Sequence, residues 1–338
     1  MKRASHKGAT LFLVLLIIQG AAVINGLTWW PAVAWLHGYL RRRIQRLPVL
    51  PLPAGRVLFV APHPDDEVLA AGGMIAELVS RGEQVYVLYI TLGDGFPLDA
   101  MLLTHRFPVR PQDNLELGKR RQQEARTASS ILGIPAAHLA FLGFPDQGLA
   151  TLLSGEPATV FTSRHTRVDH NPYLGTWCPG ASYTRTELDR QVREVLDWAA
   201  PEVVLVPHSR DRHPDHRAVH KLMTSGLLGK EVQWEYIVHG SLEWPIPKGH
   251  HPNWPLLPPR ALGRDEGWKQ VRLDSGVVQI KSRSILAYPS QIRLLSRFVR
   301  AFARANELVF LGSGQPQSRA GRLRGCIPLM TSKRTFLA

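Results

Sequence analysis

The chain has 338 residues, 44% of them hydrophobic, which is enough for one sizeable core in one domain or two. Its 41 Lys and Arg against 27 Asp and Glu give a formal charge of +14 and favour anionic partners. Two cysteines, Cys178 and Cys326, could pair, but their spacing suggests neither a disulfide framework nor a Cys-type zinc knuckle, and 28 Gly with 26 Pro suit a loop-rich enzyme rather than a low-complexity chain. The basic residues gather at 41–46 and 293–334, at the flanks, so the surplus reads as attraction to a membrane surface rather than as a nucleic-acid groove, with a solvated basic surface of no specific role as the alternative. No nucleic-acid partner is expected, because net charge alone speaks for one.

Residues 1–50 are expected to form a hydrophobic membrane anchor with basic flanks. The run ATLFLVLLIIQGAAVINGL is about as long as a bilayer span, which needs roughly 20 apolar residues. Gly20 and Ala22 also allow a signal peptide cleaved to release a secreted chain. Trp29, Trp30, Trp35 and Tyr39 resemble an interfacial aromatic belt and favour the uncleaved, single-pass anchor, with the side of the membrane left open.

A Pro-rich linker (47–53) leads to the apolar run 56–61, a buried strand, and then to a helix over 66–81 stopped by Gly82. A second strand spans 85–90. A loop through 105–114 precedes a helix over 115–132, and a third strand covers 139–142. Residues 151–183 show no period and read as an inserted loop or lid. A helix at 185–199, a strand at 203–207 and a helix from about 215 follow. The spacing then predicts a Pro-rich stretch (245–259), a helix near 279–308 and a basic tail (311–338). Alternating strands and helices predict an α/β fold, a three-layer Rossmann-like sandwich on a mostly parallel sheet, with the catalytic domain over 51–310.

Two motifs carry the chemistry. The first strand runs into APHPDDE (61–67) and the fourth into HPDH (213–216). Ligands of open α/β sheets sit outside the carboxyl ends of the strands, where both motifs fall. Alone, HPDD is also an ordinary helix N-cap and HPDH a surface turn. Together they supply what a catalytic zinc requires, three protein ligands and one open position, as His63, Asp66 and His216. Two adjacent aspartates cannot point the same way on an extended turn, which leaves Asp65 to act as base on water at the metal. His213 is expected to lean towards the substrate, with Asp215 orienting it and favouring its protonated form. Iron(II) also suits two imidazoles and a carboxylate.

The stretch APHPDDEVLAAGG (61–73) with HPDH (213–216) resembles the PIG-L/LmbE-like family of metal-dependent N-deacetylases. RQQEARTASSILG (121–133), FLGFPDQGL (141–149) and KSRSILAYPSQ (281–291) extend the resemblance over about 54–295. It implies a Rossmann-like fold and zinc on His63, Asp66 and His216. It implies Asp65 as the general base that also returns the proton to the leaving amine, and His213, supported by Asp215, as oxyanion stabiliser or acid. Arg121 and Asp146 match positions that touch the sugar. The expected substrate is an amino-sugar or glycolipid-type conjugate. A metal- and sugar-binding membrane protein without hydrolytic activity is the alternative.

Overall fold

The computed structural model describes residues 47–262 and 267–312, together with 19, 20, 22 and 25. Most of the expected anchor (1–50) and nearly all of the basic tail lie outside the described residues. Among those described, no helix is long and apolar enough to cross a membrane.

The described chain builds seven strands: β1 (Arg56–Ala61), β2 (Gln84–Thr91), β3 (Leu139–Phe144), β4 (Val203–Pro207), β5 (Val232–Tyr236), β6 (Trp268–Arg272) and β7 (Asn306–Phe310). They form one sheet in the order β3-β2-β1-β4-β5-β7-β6. The first five run parallel, and β7 pairs antiparallel with both β5 and β6. The expected α/β architecture on a mostly parallel sheet is present. Because β1 and β4 are neighbours yet lead to opposite halves of the sheet, the crevice beyond their carboxyl ends is a topological switch point.

Alternate residues of each central strand enter separate cores. Val57, Phe59 and Ala61 of β1 join one and Leu58 and Val60 the other, as a sheet buried on both faces requires. The first core packs under helices α1 (Asp66–Ser80), α3 (Pro111–Ile131), α7 (Ser275–Leu286) and α8 (Pro289–Val299). The second packs under α4 (Leu149–Ser154), α5 (Arg185–Ala199) and α6 (Pro214–Thr224). Helix α2 (Pro97–Thr104), absent from the sequence reading, opens with proline at its first turn. The helix expected over 279–308 is instead two helices and the strand β7. Pro289 starts the second helix, and Asn306, Glu307, Leu308 and Val309 are buried on the sheet.

The segment 151–183 is not a free lid. Asn171 Nδ2 donates to Leu142 O, Trp177 N to Phe141 O and Tyr183 Oη to Gly143 O, which fastens the segment along edge strand β3. The C-terminal third grips α1. Lys281 and Glu307, both fully buried, pair at 2.6 Å; Glu307 accepts the N–H groups of Gly73 and Met74, and Lys281 donates to Leu69 O.

Candidate metal centre

The turn after β1 is tied down atom by atom. Thr91, at the end of β2, holds Pro62 O through both its amide (3.0 Å) and its hydroxyl (2.9 Å). Asp65 caps α1 at φ 116° and ψ −25°, a conformation that costs a non-glycine residue of order 1–3 kcal/mol. Three neighbours hold it there: Glu67 accepts the Asp65 N–H (3.1 Å), Tyr288 Oη bonds Glu67, and Arg121 Nη2 bonds Pro64 O (2.6 Å). The turn directs Asp65 away from Asp66. Asp65 Oδ2 faces Arg121 Nη2 at 3.4 Å, whereas Asp66 is buried among imidazoles.

Asp66 Oδ2 stands 3.5 Å from His63 Nδ1 and 3.2 Å from His216 Nε2. Donors about 2.0–2.1 Å from a tetrahedral zinc lie about 3.3–3.4 Å from each other, so each of these two spacings is compatible with an ion on Asp66, while His63, His213 and His216 also bring ring nitrogens within 4.8 Å of one another. The far nitrogens are backed by carboxylates. His216 Nδ1 lies 3.2 Å from Asp211 Oδ2, and His63 Nε2 lies 3.1 Å from Asp146 Oδ1 and 3.3 Å from Asp215 Oδ2. An imidazole with one nitrogen inward and the other on a carboxylate is the usual arrangement around a protein-bound metal. Among the described residues, neither nitrogen of the fully buried His216 ring makes a well-aligned hydrogen bond, although each lies beside a carboxylate.

The charges point the same way. Burial opposes ionisation of Asp66, but His216 and His63 outweigh it and hold the carboxyl well below its ordinary range. Burial would discharge His216 too, yet Asp211 and Asp66 push it up to about 10, and Asp146 with Asp215 raises His63. The carboxylates draw positive charge into the crevice, and a divalent cation would displace the imidazole protons. Asp65 is pushed up to about 8 by burial and by Asp66 and Glu67, against the pull of Arg121.

Several expected partners are placed differently. Asp215, read as the support of His213, turns its carboxylate to His63 and to the Gln147 amide (2.7 Å); only its own amide reaches His213 Nδ1 (3.2 Å). His213 is not favoured as a cation. Burial, with His63, His216 and His239 around it, pushes it down to about 2. The tautomer assigned from the Asp215 N–H bond to Nδ1 puts its proton on Nε2, so His213 is a neutral donor towards the site. Asp146, read as a sugar contact, spends Oδ1 on His63 and Oδ2 on the Gly95 amide (2.8 Å). Arg121, read likewise, is buried with Nη1 on Gly93 O (3.1 Å) and Nη2 on Pro64 O, and its Nε has no hydrogen-bond partner among the described residues.

The sequence reading missed Asp211, His239, Glu67 and Tyr288. Asp211 lies two residues before His213, close enough to have been weighed with the motif, while His239 follows β5, a strand whose pattern was not resolved.

Comparison with known proteins follows this geometry. The family model described as PIG-L: GlcNAc-PI de-N-acetylase matches residues 58–226. A 1D-myo-inositol 2-acetamido-2-deoxy-alpha-D-glucopyranoside deacetylase of Mycobacterium sp. (strain JLS) is 28% identical over 254 residues, covering 72% of this chain and 70% of the relative. A similarly named deacetylase of Frankia casuarinae is 32% identical over 175 residues, 51% of this chain and 49% of its own. Among solved structures, N,N'-diacetylchitobiose deacetylase from Pyrococcus horikoshii aligns over 82% of this chain and 91% of its own at 17% identity, with a TM-score of 0.45.

Proposed function

The chain belongs to the PIG-L family of de-N-acetylases, and from that premise we propose that it removes an N-acetyl group from an N-acetylglucosamine-type or related amino-sugar conjugate, using zinc held by His63, Asp66 and His216. The observation that carries the reading is Asp66 Oδ2 set between two imidazole nitrogens, each imidazole backed by a carboxylate on its far side.

A bound zinc supplies a Lewis acid for the acyl oxygen and a hydroxide source at neutral pH. The protein residues do the rest. Asp65, displaced from the ligand cluster by its left-handed turn, takes the proton of the attacking water and returns it to the departing amine. Arg121 steadies that carboxylate and the carbonyl of Pro64. His213 donates its Nε2–H to the oxygen on which negative charge develops, a preorganised contribution that needs no cationic ring. Asp146 and Asp215 fix the orientation of His63, and Asp211 that of His216.

The test is zinc content together with acetate release from a panel of N-acetylglucosaminides, measured on the full chain and on Asp65→Asn. About one zinc per chain with Asp65-dependent acetate release is expected. Acetate release undiminished in Asp65→Asn would remove the base from the mechanism, and a purified chain enriched in iron would displace zinc from it. Lipid-linked amino sugars belong in the panel, because the apolar N-terminal run favours a substrate presented at a membrane.

A further inference from the structure

Asp211 is fully buried and faces two imidazoles at once. Its Oδ1 accepts the His213 amide (2.9 Å), and its Oδ2 accepts the amides of Val238 (3.1 Å) and His239 (3.0 Å). Around these bonds, Oδ2 lies 3.2 Å from His216 Nδ1 and Oδ1 lies 3.4 Å from His239 Nδ1. A carboxylate has about four lone-pair sites; three backbone N–H groups take most of them, and the two imidazoles stand close beside. Asp211 therefore orients side chains rather than binding a second ion, although it, His216 and His239 lie close enough together to suggest one.

His239, like His213 and unlike His63 and His216, is only partly buried. Its side chain is 33% exposed while its Nδ1 is buried against Asp211, so the open edge of the ring is the Nε2 edge. His63, His213 and His239 stand in a row, with centroids 4.6 Å and then 5.1 Å apart, and His216 packs behind them.

Resting on the deacetylase reading, we propose that His239 is a substrate-positioning residue, held by Asp211 so that its Nε2 accepts a hydrogen bond from an N–H or hydroxyl of the amino sugar. An imidazole whose Nδ1–H points to a carboxylate carries its lone pair on Nε2. Its neighbour His213 offers the complementary group, an N–H. Together the two rings present one donor and one acceptor, which matches an acetamide, whose carbonyl accepts and whose N–H, like the adjoining hydroxyl, donates. By holding His216 and His239 on one carboxylate, Asp211 keeps the metal side and the sugar side of the site in register.

The experiment is long-range proton–nitrogen NMR on the zinc-loaded full chain labelled at histidine, with His239→Ala for assignment and glucosamine, an unreactive product, as the probe. His239 is expected as the Nδ1–H tautomer, with its Nε2 resonance moving as glucosamine is added. An Nε2–H tautomer, or no shift while the other site imidazoles respond, would overturn the proposal. Kinetics provide the second readout. His239→Ala should raise KM about tenfold, the scale of one lost hydrogen bond, at unchanged zinc content, and His239→Gln, which keeps an acceptor, should recover part of it. Equal losses in Ala and Gln, or an unchanged KM in both, would count against a positioning role. Should the wild-type chain release no acetate from any substrate, the deacetylase reading fails, and the glucosamine-dependent shift still decides the role of His239.

Discussion

The turns after β1 and β4 both spell His-Pro-Asp, yet the same three letters take different jobs in each. After β1 the helix starts at Asp66, three residues beyond His63, and Asp65 is the residue before it, at φ 116°. After β4 the helix starts at Pro214, immediately beyond His213, so Asp215 already lies inside the first turn. Where the helix begins sets the roles. The histidine of the first motif sits ahead of the cap, free to face Asp66. The histidine of the second is itself the cap, with Nδ1 committed to a backbone amide, and the ligand becomes His216. The aspartate after the first proline is strained and outside the ligand cluster, whereas its counterpart after the second leans back onto His63. Motif letters indicate which residues matter, and the helix register assigns their chemistry.

This contrast can be tested in order of effect. Replacing a ligand, as in Asp66→Ala or His216→Ala, should abolish both metal retention and turnover, read by metal content after dialysis. Asp65→Asn should keep the metal and lose about 10²- to 10⁴-fold in kcat, the usual contribution of a general base. Asp215→Asn, at the matching letter of the other motif, should behave in the opposite way: zinc affinity falls about 10- to 100-fold, measured by chelator competition, as for other outer carboxylates. Equal effects of Asp65→Asn and Asp215→Asn on both quantities would mean that the two motifs are equivalent after all. Asp65→Gly should be more stable than Asp65→Ala by about 1 kcal/mol in urea denaturation, because glycine tolerates the positive φ and alanine does not.

A further effect is one of pH. Asp94 accepts the Tyr173 hydroxyl and, at 3.4 Å, the Asp146 amide, and burial pushes its carboxyl up to about 7. A raised carboxyl binds a proton more tightly folded than unfolded, so its contribution to stability is complete below about pH 4 and declines as pH rises to about 7. Asp94→Asn should remove that decline, visible as a flatter dependence of melting temperature on pH across the window.

Much of this was legible in the sequence, for identifiable reasons. Strands β1 to β4 are short apolar runs bounded by Pro and Gly, and the motifs follow β1 directly and β4 after a short loop, so their meeting at one sheet edge could be inferred from parallel topology. The far edge was not legible. β7 pairs with β5 and β6 across the sheet from segments distant in sequence, and Asn306 and Glu307 do not look like buried strand residues until Lys281 is beside them. The second line of the site was hidden for a related reason. Asp146 looks like a turn residue, and nothing local to FPDQG shows that its carboxylate lands on His63. Asp215 was assigned to its neighbour in sequence, but the first turn of α6 swings it to a residue 152 positions away. Strand periodicity reports burial, whereas the backing carboxylates depend on how loops fold over one another.

The grip of the C-terminal third on α1 also determines where this chain can be cut. Glu307 and Lys281 bond the backbone of the helix at Gly73, Met74 and Leu69, and Tyr288 reaches the first turn of the same helix through Glu67. A fragment ending at residue 226, the limit of the family match, would hold every metal ligand and the base yet leave those backbone groups open to water and the strained Asp65 without part of its brace. The catalytic letters therefore do not form a unit of folding. The smallest autonomous piece of this protein extends at least through β7.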